Sequence, residues 1–384
     1  MNKPKLILHI GHAKTGTTSI QDFLAKNNKN LLELGYLYPV RLSPRNNHVV
    51  LRAGFLETEH LNTHDFQVYE GNNEWFKKDA ELFLKAMSED IERFEPHTVI
   101  LSAEQMFRDF SLRSKINLAE FLGGYFSEVL VVGYIKHPIA NYISSLSQLL
   151  RTGINNLVPK LRPIRSVIEY YEGQFPGCIE LHAFERSQLV NGDVLNDFLA
   201  RYVPAAVNLL KEKKVNRSNM SLSWPLLLTL RKLRLQVQPE GKKPSMQTRM
   251  LLARVAKENQ KKIRQQPDFK PQLSAQVSDY LLQFAGDFFW LRESYGVNFS
   301  DLNYDRIKSA SNAGREGEGL KIDSLDSIIN TSNIAPIVTD IGWYQKKWVS
   351  YHLSYFSFIW RLRLKRIVNL YFRNLLYLRY RFNS

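Results

Sequence analysis

Over the first 200 residues, short apolar runs alternate with longer amphipathic stretches; beyond residue 215 only the amphipathic stretches continue. Residues 5–10 (KLILHI) are too few for periodicity to assign, but the glycine that follows favours a buried strand. Residues 18–28 then carry Ile20, Phe23 and Leu24 at helical spacing. Residues 98–101 (TVIL), 129–135 (VLVVGYI) and 179–183 (IELHA) have the same strand character. Helices are predicted over residues 83–94, 112–126 and 194–202, each beside one of those runs. Strands alternating with helices predict an α/β fold with a central parallel sheet covered on both faces, a three-layer arrangement.

Residues 222–235, 246–264 and 275–295 read as helices separated by proline and glycine. A small-residue polar stretch over 309–319 (SASNAGREGEG) marks a linker. The expected organisation is a domain over 1–305 (helical from about 215), a linker over 306–320 and a C-terminal extension over 321–384.

Composition narrows the classes. With 384 residues and 44% apolar content, wholesale disorder is excluded. A single cysteine, Cys178, excludes an internal disulfide framework and a cysteine-based zinc site. No run of 18 apolar residues predicts a spanning helix, and the N-terminus lacks the apolar core of a secretory signal, so a cytoplasmic location is expected.

The net charge of +15 is uneven. Residues 343–384 hold nine Lys or Arg, thirteen aromatics and no acid, and residues 211–270 hold sixteen basic against four acidic side chains. In the tail, Leu353, Phe356, Trp360, Leu364, Ile367, Tyr371, Leu375 and Leu378 recur every three or four positions, with arginines between. Such a basic, aromatic, amphipathic helix suits an anionic membrane surface, which would place the protein peripherally on the inner face of a membrane; packing on a protein surface is the alternative. Its continuous apolar face and lack of a recognisable motif argue against nucleic acid.

The chemistry concentrates after the first strand. Gly11 to Thr18 read G-H-A-K-T-G-T-T, directly into the first helix. A nucleoside-triphosphate P-loop is G-x-x-x-x-G-K-[ST], with backbone N–H groups and a helix N-terminus holding phosphates. Here the glycines keep that separation, but Thr17 occupies the lysine position and the cation has moved to Lys14. Thr18 keeps the metal-binding Ser/Thr place, yet no apolar strand ends in an aspartate to partner it. That argues against a P-loop kinase or ATPase. A turn that merely joins strand to helix, in a non-catalytic membrane-associated protein, is the plainer alternative.

Residues 6–24, LILHIGHAKTGTTSIQDFL, resemble the phosphosulfate loop of the P-loop sulfotransferases, and in particular the bacterial carbohydrate-type group. The resemblance implies a metal-free transfer of the sulfuryl group of 3′-phosphoadenosine 5′-phosphosulfate (PAPS) to a hydroxyl. The implied acceptor is a surface or capsular glycan, or a glycolipid. Lys14, Thr15, Gly16, Thr17 and Thr18 would hold the phosphosulfate. Residues 129–148 are similar to the element that holds the 3′-phosphate: the strand ends at Ile135, Lys136 takes the place where the group has arginine, and Ser144 lies eight residues past Lys136. Lysine keeps the charge but not the bidentate fork, so a weaker grip is implied. Residues 98–104 (TVILSAE) resemble the strand beside the acceptor, making Glu104 the implied base, with a helix-capping role as its alternative. His48 falls where that group often has a histidine in the acceptor cleft, and shares the candidacy for the base. Residues 215–223 resemble a later segment that brings Arg217 towards the nucleotide. His9, within the strand, reads as a core residue. Oligomeric state, acceptor identity and sulfated position are not legible.

Overall fold

In the computed structural model, the described residues are 3–12, 14–40, 46–51, 73–108, 111–152, 158–212, 223–237, 252, 271–312, 325 and 327–329. They fall within two compact units: one drawn from Met1–Asn141, Leu161–Ser218 and Leu281–Glu316, the other from Tyr142–Lys160, Asn219–Tyr280 and Gly317–Ser384. The first unit holds the sheet. Arg217, the expected helix over 246–264 (Leu252 apart) and the basic aromatic tail lie outside the described residues.

In chain order the elements are β1 (Lys5–His9), α1 (Thr17–Lys26), α2 (Asn28–Glu33), β2 (Tyr36–Leu37), α3 (Asn73–Phe94), β3 (Thr98–Ser102), α4 (Leu112–Tyr125), β4 (Glu128–Ile135), α5 (Pro138–Thr152), α6 (Arg165–Gln174), β5 (Ile179–Ala183), α7 (Val194–Tyr202), α8 (Trp224–Val237), α9 (Ala275–Gln283), α10 (Gly286–Tyr295) and α11 (Tyr304–Asn312). The five strands form one parallel sheet in the order β2-β3-β1-β4-β5. The fold is therefore α/β with three layers, as the alternation of runs predicts.

Strand alternation sends each side chain to one of two cores. Leu6, Leu8, Val99, Leu101, Val129 and Val131 pack with α3, α4, α6 and α10. Ile7, Ile100, Val132 and Tyr134 pack on the other face with Ile20 and Leu24 of α1 and Phe198 of α7. These strands carry apolar side chains on both faces because both faces are covered. Helix α7 starts where Asp193 accepts hydrogen bonds from the N–H groups of Leu195 (2.9 Å) and Asn196 (3.1 Å).

Two expected boundaries move. The helix expected over 275–295 is broken between α9 and α10, where Phe284 and Ala285 donate tightened bonds to Leu281 and Leu282 and Gly286 opens the next helix. The expected linker is helical at its start: α11 runs to Asn312 because Tyr304 and Ile307 bury on the core and Asn303 Oδ1 accepts from Arg306 N at 2.9 Å.

In the second unit, α8 buries Trp224, Leu226, Leu227 and Leu230. There Leu273 and Ile329 form an antiparallel bridge, and Ser274 N donates to Ile328 O at 2.8 Å. Among the described residues no helix is long and apolar enough to cross a membrane.

Candidate active site

The sheet delivers the loop between β1 and α1 in a fixed position. Ile10 N donates to Val132 O (3.0 Å) and His12 N to Tyr134 O (3.1 Å), extending the β1–β4 pairing past the strand's end. The chain then turns back through left-handed backbone at Lys14 (φ 67°) and Gly16 (φ 76°). Such a conformation is costly for a lysine and natural for a glycine, so the loop holds its cation in a strained position.

At Gly16 a Cβ would lie 2.7 Å from Val194 Cγ1, as well as meeting the positive φ. Gly16→Ala is therefore expected to destabilise the protein by about 1–3 kcal/mol. A urea midpoint unchanged from the wild type would contradict this reading.

Helix α1 begins with no side-chain cap and no acid in its first turn. An uncapped N-terminus offers its N–H groups and the positive end of the helix dipole to an anion. Lys14 and Thr18 are exposed at this mouth, and Thr17 is buried. Thr17 Oγ1 donates to Glu104 Oε2 at 3.2 Å, which brings the carboxylate from the end of β3 to the loop. Glu104 sits on a single 3-10 turn (Glu104–Met106), carried there by Ala103 N donating to His9 O at 3.0 Å.

Lys136 directly follows β4 on the opposite flank. Its Nζ donates to Lys14 O at 3.4 Å. Burial, reinforced by the Lys14 charge, lowers its pKa from 10.5 to about 8. The two lysines expected to hold opposite ends of the donor thus come from different loops and meet through the Lys14 carbonyl. Ser144 lies half-buried on α5, within the second unit.

Two expected roles are corrected. Thr15 does not turn its hydroxyl to the mouth: the residue is fully buried and its Oγ1 donates to His12 O at 2.7 Å, bracing the loop from inside. His48 is not placed to take a proton. It is fully buried, with Nδ1 accepting from Ser102 N (2.9 Å) and Nε2 donating to Pro39 O (2.8 Å). Burial lowers its pKa to about 4, so the ring is neutral with both nitrogens committed. His48 N also donates to Ser102 O at 2.9 Å. His48 therefore acts as a strut that fixes the end of β3 two residues before Glu104.

His9 is buried in the core as expected, its Nδ1 paired with Ser102 Oγ at 2.9 Å. Ser102 Oγ also accepts from Gln21 Nε2 at 3.0 Å, tying α1 to β3.

Four residues near the site escaped the sequence reading. Asn141, at the start of α5, approaches His12 Nδ1 at 3.5 Å. Ser102 carries the hydrogen bonds that join His48, His9 and Gln21. Arg108 follows Glu104 by four positions, and Arg162 precedes α6; the Arg162 charge reaches both His12 and Arg108. The position of Arg108 four residues after Glu104 is the one sequence signal that could have pointed to it. Arg162 stands in a proline-flanked loop with no signal of its own.

No known protein family matches the chain, and no curated protein matches it.

Proposed function

We propose that the protein is a PAPS-dependent sulfotransferase acting on a carbohydrate hydroxyl. The observation that carries this reading is the pairing of an uncapped, Lys14-bearing helix mouth with a carboxylate, Glu104, hydrogen-bonded to the first residue of that helix. Anion-binding groups and a proton acceptor then share one mouth, as displacement of a phosphate-linked sulfuryl group by a hydroxyl requires.

The residues fit the donor. The α1 N-terminus and the Lys14 ammonium suit a phosphosulfate, and Lys136 supplies a cation for the 3′-phosphate. The bound donor supplies the activated sulfuryl group; the chain supplies orientation and charge. Lys14 stabilises negative charge developing on the departing phosphate oxygen. Glu104, held through Thr17, accepts the acceptor's hydroxyl proton as its oxygen forms the new S–O bond.

The test is incubation of the full-length protein with labelled PAPS and a panel of bacterial glycans, read by mass spectrometry. Addition of one sulfate to a glycan is expected; absence of transfer to every glycan, with the label remaining on PAPS, contradicts the proposal.

The low pKa of Lys136 gives a pH dependence of determinate sign. Binding an anion favours the protonated amine, so affinity for adenosine 3′,5′-bisphosphate is expected to be full below pH 8 and to fall as pH rises through about 8. Stability moves oppositely. Between about 8 and 10.5 the unfolded lysine holds more proton than the folded one, so this group's contribution to stability rises with pH. Lys136→Met should flatten both slopes. Parallel calorimetric and denaturation profiles check this, and an unchanged affinity slope in Lys136→Met would contradict it.

The tail's attraction to anionic membranes remains part of the proposal. Sedimentation with anionic liposomes, with and without residues 321–384, tests it.

A further inference from the structure

Beside the candidate catalytic mouth stands a second set of anion-binding groups that the mechanism above does not use. His12 is 2% exposed. Its Nδ1 faces two donors at long range, Lys136 N (3.4 Å) and the Asn141 amide (3.5 Å). That network assigns the ring proton to Nε2. The Nε2 atom is buried and has no hydrogen-bond partner. A buried, unpaired donor is costly, and the cost is removed when an acceptor arrives.

The surroundings specify what kind of acceptor. The His12 ring packs on Phe107, with centroids 5.1 Å apart, and Arg108 is the next residue. Burial lowers the pKa of His12 and of the half-buried Arg108, and the Arg162 charge adds to both shifts, with Lys136 adding to that of His12. Among the described residues, no carboxylate pairs with Arg108 or Arg162. Cations within reach of one another and without an ion-pair partner repel, so an anion from outside the chain would stabilise them.

Position sets the two arginines apart from the donor groups, while His12 stands on the same loop as Lys14 and its Nδ1 meets Lys136 N. Lys14 and the α1 N-terminus lie on that loop, and Lys136 directly follows β4. Arg108 instead leaves the turn that carries Glu104, the group placed to receive the acceptor's proton.

We propose that Arg108, Arg162 and the Nε2–H of His12 form an acceptor subsite for an oxyanion, so that the substrate is an acidic glycan bearing carboxylate or sulfate groups near the hydroxyl to be sulfated. This rests on the sulfotransferase reading and names the substrate class for it. Guanidinium groups hold such oxyanions through paired, charge-assisted hydrogen bonds.

The test uses the full-length protein saturated with adenosine 3′,5′-bisphosphate. It is titrated calorimetrically with cello- and malto-oligosaccharides, each in neutral, C6-oxidised (uronate) and 6-O-sulfated forms. At least one acidic form is expected to bind roughly tenfold or more tightly than its neutral counterpart, and the uronate and sulfate arms distinguish the oxyanion. Arg108→Gln and Arg162→Gln should each weaken that binding roughly ten- to hundredfold. Arg108→Lys should restore part of it. Affinity for adenosine 3′,5′-bisphosphate should stay within about twofold of wild type in all three.

Equal or absent binding of acidic and neutral forms overturns the subsite while leaving donor binding intact. Parallel losses of bisphosphate and glycan affinity in the arginine variants also overturn it, because the cations would then belong to the donor. Failure of the wild-type protein to bind the bisphosphate removes the sulfotransferase reading, and the subsite with it.

Discussion

Lys14→Ala is expected to lower the rate of sulfuryl transfer by about 10²- to 10³-fold. Lys14 sits at φ 67° on a loop whose two glycines also adopt positive φ, next to an uncapped helix N-terminus. Holding a lysine in left-handed backbone opposes folding, and the arrangement is sustained by the pinning of Ile10 and His12 to β4. The exposed side chain contributes little packing, so its removal should leave the fold intact. Donor affinity should fall much less than turnover, because charge on the leaving oxygen is greatest in the transition state. Single-turnover kinetics with labelled PAPS separates the two. Transfer at the wild-type rate in Lys14→Ala would remove the assigned role.

Glu104→Gln is expected to lower kcat by about 10²- to 10⁴-fold while leaving adenosine 3′,5′-bisphosphate binding unchanged. The glutamine carbonyl still accepts the Thr17 hydroxyl bond, so the turn after β3 keeps its place. What is lost is the basic oxygen. If the variant retained full turnover, Glu104 would be a brace for the helix N-terminus and nothing more. A His48→Asn variant gives the contrast. Because both His48 nitrogens are bonded inside the fold, its loss should lower the thermal midpoint before it changes the pH profile of turnover.

The strands and the loop were legible in the sequence for a physical reason. Leu6, Ile7 and Leu8 are buried on alternate faces, so β1 reads as a continuous apolar run bounded by glycine, and β4 likewise reads as an apolar run; β5 is an edge strand buried through Leu181 and Ala183 on one face. The loop is legible because spacing alone places its two glycines. Tyr36–Leu37 was not legible as β2: two residues carry no period, and only pairing with Thr98 and Val99 makes them a strand. Helix α6 escaped notice because RSVIEYYEGQ has β-branched and aromatic residues and no capping side chain; burial of Val167, Ile168 and Tyr171 stabilises it instead.

Within the site, the roles of Thr15 and His48 depend on which way each side chain turns. That is decided by His12 O in one case and by Ser102 and Pro39 in the other. Arg108 and Arg162 lie 54 positions apart, and only the folding of the first unit brings the Arg162 charge within reach of Arg108.

The central claim is that this helix mouth holds a 3′-phosphorylated, 5′-sulfated adenosine nucleotide through Lys14 and Lys136. Thermal denaturation of the full-length protein with adenosine 3′,5′-bisphosphate, against ATP with magnesium, tests it most directly. The account predicts that the bisphosphate raises the melting temperature without magnesium, and that Lys136→Met diminishes the shift. A larger shift with ATP and magnesium, or none with the bisphosphate, would contradict it.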